Sequence, residues 1–133
     1  MKVLVAHMSR ILLGAIFLLA GINGYFVIFE LEPFIATSPQ AMALLEMDYL
    51  LIAEKSIEVI CGALLLINRF VPLALAVLTP ITGNILLLHL FVDHSLLLLA
   101  CILSLATAYL LYGYKDHYLR LFDRSAEAFG KSL

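Results

Sequence analysis

Residues 49–67 read YLLIAEKSIEVICGALLLI, an apolar run of 19 residues interrupted only by Glu54, Lys55 and Glu58 among ionisable side chains. Whether this run crosses a membrane decides the fold. With it the chain has four crossings; without it, three. On insertion scales each charge near a helix centre costs about 2.5–3.5 kcal/mol and each Leu or Ile returns about 0.3–0.6 kcal/mol. The three charges therefore outweigh the segment's apolar residues, and it inserts only if partner helices shelter them.

The rest of the chain supplies those partners. Of its 133 residues 64% are hydrophobic and 14% charged, and the mean hydropathy is +1.07, far above ordinary soluble domains. Ile11–Phe29, Phe70–Val92 and Ser95–Tyr114 hold no Asp, Glu, Lys or Arg over 19, 23 and 20 residues. Each matches the helix of about 20 residues that spans a hydrocarbon core. The reading is all-α: a polytopic, up-down-up-down bundle of four transmembrane helices near 5–29, 43–67, 71–91 and 95–115. Residues 1–115 form the bundle and 116–133 a short C-terminal amphipathic helix. The first run is too long for a signal-peptide core and no small-x-small cleavage site follows it, so it reads as a retained helix.

Basic residues mark the cytoplasmic side. Lys2 and Arg10 at the N-terminus, Arg69 between helices two and three, and Lys115, Arg120, Arg124 and Lys131 after helix four fall on one face. Both termini are thus expected in the cytoplasm, with Glu30, Glu32, Glu46, Asp48 and Asp93 opposite. Asn68-Arg69 and Asp93-His94 are tight connections between antiparallel neighbours. Only the first external connection, roughly Glu30 to Met47, is long; Pro33 and Pro39 break helix there and Ser38 can cap one. In the tail, Tyr118, Leu119, Phe122, Ala126 and Phe129 recur opposite Arg120, Asp123, Arg124 and Glu127, as in a helix lying on a membrane surface.

Counting outward from each span's centre at the helical rise places Asn23, Glu54, Asn84 and Cys101 in one layer, about 5 Å toward the external face. Lys55 shares it and Glu58 lies nearer the midplane. Glu54 and Glu58 share a helix face and Lys55 and Glu58 can meet, whereas Glu54 and Lys55 point in different directions. One glutamate is neutralised locally; the other needs Arg10, an amide or a proton. Arg10 either pairs with Glu58 or snorkels to headgroups. Arg10, Asn23, Glu54, Lys55, Glu58, Asn84 and His89 form the candidate intramembrane polar site, since ionisable groups at this depth are functional hypotheses by default; helix-to-helix glue is the rival reading. His89 and Asp93 are four apart and can touch. No metal site follows, because further ligands and an ExxH pair are missing. Gly14, Gly21 and Gly24 offer helix one a small-residue packing surface, and Gly83 does so beside Asn84. Cys61 and Cys101 carry no CxxC spacing and differ in depth by about 10 Å, which leaves them unbridged.

The segments RILLGAIFLLAGINGY (10–25), EVICGALLLI (58–67) and RFVPLALAVLTPITGNILLLHLF (69–91) resemble the DoxX family of small four-helix membrane proteins, a likeness that runs from about Ser9 to Tyr114. Arg10, Glu58, Gly62, Pro80, Asn84 and His89 match residues that recur there. The resemblance implies a prokaryotic inner-membrane protein linked to quinone-coupled sulfur oxidation or to assemblies handling oxidative or thiol stress. Three functions stay open: a component of such an assembly that binds a quinone, lipid or redox protein partner within the bundle; a small proton-coupled carrier, acting as a homodimer, that uses Glu54 or Glu58; and an assembly subunit with no ligand. No catalytic motif marks an enzyme. A net charge of −2 with scattered basic residues excludes nucleic acid as partner; the lipid bilayer is the expected surround.

Overall fold

The computed structural model describes residues 1–44 and 46–124, and among them all regular structure is helical. The helices are α1 (Lys2–Ile28), α2 (Pro39–Leu44), α3 (Asp48–Leu66), α4 (Val71–Phe91), α5 (Leu97–Gly113) and α6 (Lys115–Tyr118), with 3₁₀ turns at His94–Leu96 and Leu119–Phe122. Three segments, Lys2–Ile28, Val71–Phe91 and His94–Gly113, are long and apolar enough to cross a membrane. The apolar side chains they leave exposed, among them Leu19, Leu73, Leu87, Leu98 and Leu105, suit a lipid surround.

Two boundaries differ from the sequence reading. The second long helix begins at Asp48 rather than at 43, because residues 39–44 form a helix of their own; the Ala41 amide donates to the Ser38 hydroxyl at its start. Helix one begins at Lys2, three residues earlier than expected. The tail is broken into α6 and a 3₁₀ turn instead of one continuous helix; Tyr118 donates to the Pro72 carbonyl at 2.7 Å and so ties it to the start of α4. Ala126, Glu127, Phe129 and Lys131 lie outside the described residues.

The two ends that flank α3 close alike. Glu30 and Asn68 adopt left-handed backbone angles (φ 57° each) just past α1 and α3. Leu31 N–H then donates to Phe26 O and Arg69 N–H to Leu64 O, the paired bonds that use up terminal carbonyls and stop a helix. Asn68 adopts that conformation at lower cost than most side chains.

Four long helices, α1, α3, α4 and α5, pack each against the next, and α5 closes on α1. They run antiparallel: on α1 and α3, Gly14 meets Gly62 while Gly24 meets Lys55, and Tyr109 near the end of α5 donates to the Lys2 carbonyl. The α1–α3 contact is the most intimate, and glycine makes it so. A Cβ on Gly21 would lie 2.7 Å from Val59 Cγ2, and one on Gly62 2.6 Å from the Leu18 nitrogen. Gly83, by contrast, has nothing within 4 Å of such an atom, which corrects its expected packing role.

Buried apolar side chains from all four helices, including Leu13, Phe17, Leu65, Leu75, Leu78, Leu103 and Leu110, make one continuous core. Most lie toward the end where α3 passes into α4. Toward the other end the same helices spread around a cavity, so one half of the array is filled and the other is hollow.

Candidate functional site

The hollow half is a cavity of about 350 Å³ between α1, α3, α4 and α5, roofed by residues 35–42 of the long connection. Phe17, Glu58, Ala100 and Leu103 are the most buried of its lining residues, and Ile16, Ala20, Leu51, Ile85, Leu88 and Leu99 make much of the apolar wall. Glu54, Lys55 and Glu58 supply the charged wall, all from α3. A mostly apolar pocket of this size with a few convergent polar groups is the usual form of a small-molecule site.

The three charges form one unit. Lys55 Nζ lies 3.0 Å from both Glu58 carboxylate oxygens and 3.2 Å from Glu54 Oε1. The contact with Glu54 corrects the expectation that adjacent residues diverge: Lys55 has a flexible four-carbon stem, which folds across α1 where Gly24 has no side chain to block it. Glu58 is 1% exposed, while Glu54 keeps 23% of its side-chain surface and faces the cavity.

Arg10 does not pair with Glu58 and does not snorkel. It is 7% exposed and its guanidinium donates to the Leu65 and Leu66 carbonyls at the end of α3, where orphan carbonyls and the negative end of the helix dipole favour a cation. Glu54 does not meet Asn23 or Asn84. The Asn23 amide instead clamps the backbone of Ile35 in both directions, donating to its carbonyl at 3.1 Å and accepting from its N–H at 2.9 Å. Asn84 lines the cavity but has no side-chain hydrogen bond among the described residues. Cys101 is not on the cavity wall, and both cysteines are free.

His89, 6% exposed, also lines the cavity. Its contact is with the Asp93 carbonyl, 2.6 Å from Nδ1, rather than with the carboxylate. A carbonyl cannot donate, so Nδ1 carries a proton and donates to it. The Asp93 carboxylate accepts from the Ser95 amide. Its pKa is held down to about 2, first by the Ser38 hydroxyl and then by Ser95.

Sequence reasoning places Asn23, Glu54, Lys55 and Asn84 at one level with Glu58 nearer the midplane. It marks the connection over residues 30–47 as the one element that can form a lid while favouring a solvated loop; that residues 35–42 roof the cavity depends on what the loop lands on. Sequence reasoning missed the 2.5 Å hydrogen bond between Tyr25 and Ser56, which pins α1 to α3 beside Lys55. The tyrosine's position one residue after Gly24 was the available signal.

Asn23→Ala removes both bonds to Ile35. The expected result is faster hydrogen exchange at the Ile35 amide and earlier proteolytic cutting within residues 31–38, at a stability cost of about 1–3 kcal/mol for the buried groups left unpaired. Unchanged exchange at Ile35 would mean that the clamp does not hold the roof.

Fold and site together define a protein, all-helical among the described residues, with apolar helices of membrane-spanning length around a charged-walled cavity. Comparison with family models, curated proteins and solved structures finds no match.

Proposed function

We propose that the chain is a DoxX-like integral membrane protein of the inner membrane, crossing it four times with both termini in the cytoplasm. In this reading it holds a small amphipathic molecule, quinone-like or lipid-like, between its helices as a component of a membrane redox or thiol/oxidative-stress assembly. The observation that carries the binding role is the cavity beside Glu54, Lys55 and Glu58. Side chains that served packing alone would leave a filled interior. The family and the redox setting rest on the resemblance of residues 10–25, 58–67 and 69–91.

The fourth crossing is supported by how α3 is turned. Tyr49, Leu50, Ile52, Ile60 and Ile67 face outward, while Lys55 and Glu58 satisfy each other inside. A helix whose charges face the interior presents lipid with an apolar surface. The distribution of basic residues supports the orientation. Reporter fusions at Ala36 and after residue 124 are expected in opposite compartments; both on one side would end this topology.

A proton-coupled carrier is the second reading, favoured by the nearly complete burial of Glu58 on the cavity wall. Native mass spectrometry in mild detergent tests the first reading: a co-purifying small amphiphile is expected, and its loss from Ala20→Phe, which fills the cavity. Empty protein that instead acidifies liposomes during solute exchange would favour the carrier.

A further inference from the structure

We infer that the polar head which the cavity accepts carries a positive charge, so that its occupant is a lipophilic amine. The inference rests on the cavity's being a ligand site and adds the chemistry of the head. Charge balance is the first ground. Two carboxylates, Glu54 and Glu58, face one ammonium, Lys55, and no other Asp, Glu, Lys or Arg lines the cavity. Arg10, the nearest candidate in the sequence for a second cation, is committed to the carbonyls at the end of α3. With both carboxyls ionised the triad carries one more negative than positive charge, which within a low-dielectric wall attracts a cation more strongly than it would in water.

Hydrogen-bonding capacity points the same way. An ammonium has three donors, and Lys55 directs its Nζ to Glu54 Oε1 and to both Glu58 oxygens. None is left for an acceptor head such as a ketone or a carboxylate. Glu54 Oε2 has no hydrogen-bond partner among the described residues, and its carboxylate lone pairs line the cavity. The site thus has spare acceptors, and an alkylammonium brings donors and charge together.

Three probes with one body and different heads test this: decylamine, cationic at neutral pH, decanol and decanoate, titrated calorimetrically into protein in mild detergent against protein-free micelles. Decylammonium is expected to bind at least about tenfold more tightly than either other probe. Glu54→Gln, at the partly exposed member of the triad, should reduce that preference to about threefold or less, whereas Glu46→Gln on the external loop should leave it unchanged. Ala20→Phe should abolish binding of all three. Decanol binding as well as decylammonium, the result if a proton supplies the missing charge, overturns the inference and leaves the ligand site standing. Decylammonium binding that survives Ala20→Phe, or a preference untouched in folded Glu54→Gln, also overturns it. No binding by any probe overturns both the inference and the ligand site.

Discussion

Lys55→Met is expected to destabilise the protein by about 3–5 kcal/mol, the usual cost of removing one partner from a buried ion pair. The methionine fills nearly the same volume against Gly24, so the loss is electrostatic. Glu58, 1% exposed, keeps its burial and loses both hydrogen bonds from Nζ, and Glu54 loses its only one. Two carboxylates are then left side by side with no cation. Glu58→Gln should cost less, because Lys55 keeps Glu54 as a partner, but more than Glu46→Gln, whose site is exposed. Thermal unfolding in detergent ranks the three variants. Equal, small effects at Lys55, Glu58 and Glu46 would show that the triad contributes nothing to the packed array.

Gly62→Ala should have the next largest effect. The added methyl would sit 2.6 Å from the Leu18 nitrogen and 2.9 Å from the Gly14 carbonyl oxygen. Both are backbone atoms of α1, so no side chain can rotate away and the two helices must separate. Overpacking of this kind costs about 1–3 kcal/mol, and the upper end is expected where the obstacle is backbone. The separation would also draw Tyr25 from Ser56 and Gly24 from Lys55. Gly83→Ala is the internal comparison: that position is open, and alanine's better helix propensity, worth about 1 kcal/mol at most, should leave stability equal or slightly raised. If Gly62→Ala and Gly83→Ala unfold at the same temperature, the α1–α3 approach is looser than described.

Much of this molecule is legible in the linear chain because lipid-length apolar runs and their breaks are local properties. Three charge-free stretches, the two short connections and the breakers Pro33 and Pro39 suffice to mark out the long helices. Their spacing also places Gly14, Gly21 and Gly24 on one side of α1. Helix ends were less legible: the chain between Met42 and Asp48 is apolar enough to continue α3, and only the separate turn at Pro39–Leu44 shows that it does not.

What the sequence by itself determined is that these helices are long, apolar and antiparallel, and that Glu54, Lys55 and Asn23 lie near one level with Glu58 nearer the midplane. Helical rise is the same for every residue, so depth can be counted. The partners were decided only by the tertiary structure. Arg10 serves the end of α3 instead of Glu58, Asn23 holds Ile35 instead of Glu54, and Lys55 bridges two carboxylates because Gly24 leaves its stem a path. Each of these depends on the azimuth at which one helix meets another, and on the course of a loop, to about the length of a hydrogen bond. The cavity has the same origin: it is the space left where α1, α3, α4 and α5 stop filling one another, and no single helix carries a record of it.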